Sequence, residues 1–342
     1  MKKVNYFAID IAKYISALLV VCIHTFPLLD VSEPANTFLI QAVCRIAVPF
    51  FFAVSSFLFF SKIKAKRGPN DPENLFQLKH YLRRLGILYL VWSAVYLPYT
   101  FLLWRSSGYA WTFVVRWIFD FFFNGSYYHL WFLPSLILAT VIVYQLYTRI
   151  KLVWGMLVCL LLYTAGMLMN VYGDLLACIP FIRLLYQLYM SVFTTARNGI
   201  FFAPIFLYVG IYLKSSLKTF SSKKYLTGTV VFYIALLLEE GLALLCGMIH
   251  DLTSMYLMLV PLVYFLVGLL LQVQSAPSRM GKFLRQSSLL IYVSHILFAI
   301  PLLALYPNHH LLVYLLTVIG SQLFSLFIIA ASNRIRWLSV LY

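Results

Sequence analysis

Residues 8–29 read AIDIAKYISALLVVCIHTFPLL. A helical run of about 20 mostly apolar residues is what crossing a hydrocarbon layer of roughly 30 Å requires. Basic residues precede the run, as in a secretory signal, but it carries Asp10, Lys13 and His24 and has no small-residue cleavage site, which predicts a retained first span. Runs of the same kind recur at 37–60, 85–104, 130–148, 152–170, 199–214, 226–248, 254–273, 288–306 and 311–332. The sequence therefore predicts an all-α, polytopic transmembrane helix bundle of about ten spans, with residues 1–342 forming a single membrane domain. Composition agrees: the 342 residues are 63% hydrophobic and 11% charged, with 18% aromatics and a mean hydropathy of +0.90. A soluble domain lies nearer ~45–50% apolar and ~25% charged, so a water-soluble globular protein is excluded.

The net charge of +16, from 26 Lys and Arg against 10 Asp and Glu, points to topology before nucleic acid, with an anionic ligand as the alternative. Cytoplasmic loops of membrane proteins collect Lys and Arg. One alternating set of loops holds most of the basic residues, among them Lys62, Lys64, Lys66, Arg67, Arg83, Arg84, Lys223, Lys224 and Arg285. The opposite set holds Arg105, Arg116, Arg183 and Arg197 beside Asp30, Glu33, Asp120, Asp174 and Asp251. Both termini are expected in the cytoplasm. Making 175–193 a further span would invert every later loop, so it and the short 111–123 segment are expected to be interfacial or re-entrant at the outer face. The five cysteines show no CxxC pairing and read as small buried hydrophobes.

Ionisable groups at membrane depth are expensive, and each is a candidate for function. The set is Lys13, His24, Arg45, Glu239, Glu240 and His295. Lys13 and His24 lie eleven positions apart in one helix, hence roughly 16 Å apart on nearly the same face. A snorkelling lysine and a hydrogen-bonded core histidine are the structural alternative. Arg45 needs a carboxylate, a carbonyl cluster or an anionic ligand, and Glu239 and Glu240 match it in depth. His295 falls in the inner half of its span, where a hydrogen-bonded core residue is the plainer reading. His309 and His310 lack further ligands, and no metal site is expected.

The span-1 string, followed by RIAVPFFFAVSSFLFF at 45–60, resembles the opening of the membrane-bound acyltransferase 3 family. HYLRRLGILYLVW, HLWFLPSLILA, FFAPIFLYVGIYL and SLLIYVSHILF continue the likeness in order along the chain. FNGSYYHLWFLPS, ARNGIFFAPIFLYVGIYL and DLTSMYLMLVP resemble the membrane half of VanT-type serine racemases. Those proteins continue into a pyridoxal-phosphate-dependent racemase domain outside these 342 residues, and their membrane half is associated with serine uptake.

The acyltransferase resemblance implies a multi-pass protein of the plasma (inner) membrane. It moves an acyl group, commonly acetyl, from cytoplasmic acyl-CoA to a hydroxyl of an extracytoplasmic acceptor such as a cell-surface glycan. Acyl-CoA would be a co-substrate, with no permanently bound cofactor, and the other partners would be the acceptor and membrane lipid. The family's Arg falls on Lys13 and its His on His24. His24, Arg45 and Glu239 are then the candidate catalytic residues, Lys13, Arg83 and Arg84 the coenzyme A path, and Trp131, Arg197, Asn198, Glu240 and His295 the candidate substrate-binding residues. Lys13 departs from the family's Arg and lacks its planar two-pronged contact with phosphate. Ser56 stands where the family has Gly, at a close helix approach. The VanT resemblance implies instead a module that transports serine or a related small solute.

Overall fold

The computed structural model describes residues 6–106, 111–173, 179–217, 219–249, 253–276 and 278–342. Asp174 and Asp251, named above, lie outside them, as do Cys178 and the basic residues Lys2, Lys3 and Lys218. The described chain is helical: α1 (Phe7–Thr25), α2 (Glu33–Phe60), α3 (Pro72–Ser106), α4 (Trp111–Phe123), α5 (Phe132–Arg149), α6 (Leu152–Asn170), α7 (Pro180–Phe193), α8 (Ala203–Ser216), α9 (Ser222–Leu245), α10 (Leu259–Gln272), α11 (Arg279–Leu305) and α12 (His310–Ser332). Eight are long and apolar enough to cross a membrane, namely α1, α2, α3, α5, α6, α9, α11 and α12. The other two expected spans fall on α8 and α10, apolar helices of 14 residues each. The segments expected not to cross form α4 and α7, of 13 and 14 residues.

The residues group into two compact units that divide α2, α9 and α10 between them. One takes the described residues up to Phe51, Leu217–Val231 and those from Phe265 onward; the other takes Phe52–Ser216 and Phe232–Tyr264.

In the first unit α1, α11 and α12 pack together. Ala17 and Val21 of α1 meet Ile291 of α11 in a core closed by Tyr14, Leu18, Phe51, Tyr314 and Val318. Asp10 meets Arg285 near the starts of α1 and α11, and His24 meets His295 further along both, so these two helices run parallel. α12 runs antiparallel to α1. Its first residue, His310, donates through Nδ1 to the Thr25 carbonyl at 2.8 Å, and Gln322, midway, accepts from Tyr14 at 2.8 Å. α1 stops where Phe26 turns into the left-handed region (φ 51) with its N–H on the Cys22 carbonyl, and Pro27 then prevents continuation.

In the second unit Phe52 packs on Phe132 at 4.5 Å and on Phe202 at 6.0 Å. Two helices approach closely here: a Cβ on Gly210 of α8 would lie 2.3 Å from the Ala53 carbonyl and 2.8 Å from the Phe57 nitrogen, both backbone atoms of α2. Ser56 donates to the Leu207 carbonyl at the same crossing. The close approach expected of a glycine at position 56 is thus provided from the facing helix.

The basic segment expected as loop before span 3 is helical from Pro72, and the connection shortens to residues 61–71. Asn74, fully buried, organises it by accepting from Lys64 N and donating to the carbonyls of Lys64 and Gly68. Cys22, Cys44 and Cys159 are buried and free, whereas Cys246 is exposed just beyond α9, contrary to its expected burial.

Candidate active site

The first unit places one line of polar groups along α1. At its start Asp10, buried, takes the Arg285 guanidinium with both oxygens, Nε on Oδ1 and Nη2 on Oδ2, each at 3.2 Å. The sequence shows Arg285 only as a loop charge and carries no sign of this pair. Lys13 stands one turn on, within electrostatic reach of Asp10. At the far end the rings of His24 and His295 lie 5.3 Å apart, tilted by 32°.

The sequence puts His295 in the inner half of its span. The apolar run was counted from 288, but α11 begins at Arg279, which carries residue 295 well along the helix. The His295 Nδ1 lies 2.8 Å from the Tyr292 carbonyl and 3.1 Å from that of Ile291. Carbonyl oxygens only accept, so Nδ1 bears a proton.

Arg45 is set by an irregularity within α2. Leu39–Val43 form a π turn and Cys44–Ile46 a 3-10 turn before the α-helix resumes at Ala47. Pro49 supplies a cause, since it has no N–H for the Arg45 carbonyl four residues back and its ring presses on that carbonyl. Such single-turn π bulges cluster at functional sites. Here the bulge brings Gln41 under Arg45, whose Nε donates to Gln41 Oε1 at 3.0 Å, both side chains being buried.

In the second unit Glu239 of α9 accepts from the backbone N–H groups of Leu257 and Met258, at 2.7 and 2.8 Å, where the chain enters α10. The Tyr172 hydroxyl donates to it at 3.3 Å. A carboxylate at the start of a helix meets N–H groups that lack intrahelical partners. Burial, and then the nearby carboxylate, push the Tyr172 phenol up to about 12, so it stays a donor at any physiological pH. Glu240, next in α9, is buried.

Asn198 accepts from Ile200 N and Phe201 N, closing the turn into α8, and donates to the Tyr189 hydroxyl at 2.7 Å. The adjacent Arg197 guanidinium lies over the Trp131 indole at 4.8 Å, a cation–π contact. Arg83 and Arg84 are exposed on the first half of α3.

A helical membrane protein with a histidine pair, a buried arginine and few other charges at depth is the class these features define. The chain belongs to the family described as the acyltransferase domain (acyltransferase 3), which it matches over residues 6–331. It is also similar to an amino-acid racemase of Enterococcus faecalis, with 31% identity over 272 residues that cover 79% of this chain and 36% of that protein. A serine/alanine racemase of Enterococcus gallinarum is 27% identical over 292 residues, covering 84% of this chain and 40% of that protein. The chain thus spans well under half the length of these relatives. No solved structure matches it.

Proposed function

We propose that the chain is an integral membrane O-acyltransferase that moves an acyl group, acetyl in the simplest case, from cytoplasmic acyl-CoA to a hydroxyl of an extracytoplasmic acceptor such as a cell-surface glycan. The observation that carries this reading is the His24–His295 pair within a family of acyltransferases. His24 takes the proton of the acceptor hydroxyl as general base. The alkoxide attacks the thioester carbonyl, and the C–S bond then breaks to give the ester and coenzyme A thiolate, which recovers the proton from the imidazolium. His295, its tautomer held by the Tyr292 carbonyl, holds the His24 ring and the acceptor.

Arg45 stabilises the negative charge that develops on the carbonyl oxygen. In the second unit, Glu239 is proposed as a catalytic carboxylate and Glu240 as a ligand of the acceptor. Lys13 in the first unit, and Arg83 and Arg84 in the second, are the residues proposed to take the coenzyme A phosphates. Trp131, Arg197 and Asn198, also in the second unit, are proposed as further acceptor ligands.

The test is release of coenzyme A thiol from acetyl-CoA by the reconstituted protein, with cell-envelope extract as acceptor. Release that disappears in His24→Ala supports the reading, and absence of release in the unaltered protein overturns it.

The similarity to a serine/alanine racemase favours a second reading, a module that carries serine or a related solute across the membrane. Arg45, in the first unit, is the candidate for the carboxylate, and Glu239 or Glu240, in the second, the candidate for the ammonium group. Serine flux in vesicles that release no coenzyme A is the result that would select it.

A further inference from the structure

Cys22 and Cys44 form no motif in the sequence, yet the fold puts their sulfurs in contact. Both are buried and free, and with Ile40 they make a small core packed by Leu19, Ile23, Leu39 and Tyr314. The 3-10 turn that starts at Cys44 lies directly on α1. The Cys44 thiol donates to the Cys22 sulfur, and the Tyr314 hydroxyl of α12 donates to the same sulfur.

Two thiols already in hydrogen-bond contact on separate helices need only a small rotation to join. The sulfur that accepts both hydrogen bonds is the better placed to hold an electron pair as its proton leaves, which makes Cys22 the attacking sulfur and Cys44 the resolving one. Position along the chain gives the pair its consequence. Cys44 directly precedes Arg45 at the irregular stretch of α2, and Cys22 lies just before His24 in α1. A bond between the two sulfurs would tie together the backbone segments from which both candidate groups project, all within the first unit.

Cys22 is 6% exposed and Cys44 0%. Such burial keeps out a protein oxidant or an ion, whereas a small neutral peroxide needs to reach only Cys22. We propose that Cys22 and Cys44 are a peroxide-closed disulfide clamp between α1 and the turn that carries Arg45. The Cys22 sulfur attacks one peroxide oxygen and the O–O bond breaks, the other oxygen leaving as water with the thiol proton. The Cys44 sulfur then displaces the hydroxyl from the sulfenic acid, forming the S–S bond and a second water. Two thiols are oxidised and one hydrogen peroxide is reduced, to one disulfide and two waters. The effect of the clamp on acyl transfer rests on the acyltransferase reading; its formation does not.

The full chain in lipid nanodiscs is treated with hydrogen peroxide, digested without reduction and mapped by mass spectrometry. The expected result is a peptide pair joined through Cys22 and Cys44, two hydrogens lighter than the separate thiol peptides and parted by dithiothreitol. In Cys44→Ala, dimedone should trap a sulfenic acid on Cys22, and in Cys22→Ala, Cys44 should stay a thiol. Coenzyme A release should fall at least threefold in the oxidised chain, recover with dithiothreitol, and keep no response to peroxide when Cys22→Ala and Cys44→Ala are combined. Absence of the joined peptides in the unaltered chain overturns the proposal, as does a peroxide response that persists in the combined variant. A joined pair in a chain that releases no coenzyme A even when reduced sinks acyl transfer alone, and release without a joined pair sinks the clamp alone.

Discussion

Asp10 and Arg285, 275 positions apart in the chain, meet in a two-pronged ion pair that ties the first turns of α1 to those of α11. The pair is lopsided: the Asp10 side chain is 6% exposed and that of Arg285 49%. Removing the arginine leaves a buried carboxylate with Lys13 as its remaining nearby cation, whereas removing the carboxylate leaves a guanidinium that water can reach. Arg285→Ala should therefore cost about 2–3 kcal/mol and Asp10→Asn about 1 kcal/mol, with partial recovery in Arg285→Lys. Thermal unfolding of the purified variants checks the order, and equal losses would contradict it.

His24→Ala should lower kcat for thiol release by about a hundredfold or more, the usual contribution of a general base. His295→Ala should lower it less, with KM for the acceptor raised, because its part is to hold the ring and the acceptor. Steady-state kinetics with both substrates varied separate the two.

Pro49→Ala returns a backbone N–H to position 49. The helix through residues 39–46 is then free to become regular, and loss of the extra π residue would rotate Arg45 by about 100°. Stability should rise while kcat falls. An unchanged kcat would separate Arg45 from the chemistry.

Gly210→Ala sets a methyl against the α2 backbone, which cannot move as a side-chain tip can. A loss of about 1–3 kcal/mol is expected, as for overpacking elsewhere. Ser56→Ala should cost about 1 kcal/mol through its hydrogen bond to Leu207. Unfolding temperatures in detergent measure both, and a neutral Gly210→Ala would mean that α2 and α8 separate easily.

Glu239→Gln should lower the unfolding temperature by the equivalent of about 1–2 kcal/mol, since a neutral amide accepts from Leu257 and Met258 less strongly than a carboxylate. The Tyr172 link adds a pH signature. A phenol raised from 10.0 to about 12 in the fold contributes stability that is complete below pH 10 and is lost as the pH rises toward 12. Tyr172→Phe should flatten that part of the stability profile and leave the region below pH 10 parallel to the unaltered protein.

The spans were legible in the sequence because crossing lipid demands only length and apolarity, which each run declares by itself. α4 and α7 were legible as non-spanning for a similar reason, one from its shortness and the other from the placement of charge in later loops. The pairings were not legible. His24 and His295 sit at opposite ends of the chain, and an apolar run does not mark where its helix begins: α11 starts among the basic residues Arg279, Lys282 and Arg285. Glu239 looked like a counter-ion because a sequence displays charges and hides backbone N–H groups, and its donors are the uncharged main chain of Leu257 and Met258. The bulge under Arg45 had a sequence signal in Pro49, four residues downstream, but a proline does not say which neighbouring turn will widen.

The parallel course of α1 and α11 sets a rule of parity for the rest of the chain. Two spanning helices that point the same way must be separated by an odd number of crossings. Among the described helices between them, α2, α3, α5, α6 and α9 have the length to cross, and five is odd. With α4 and α7 at the interface, as the placement of charge in the loops implies, the 14-residue helices α8 and α10 traverse the membrane together or not at all. Either way the antiparallel α12 returns the chain to the side from which α1 set out.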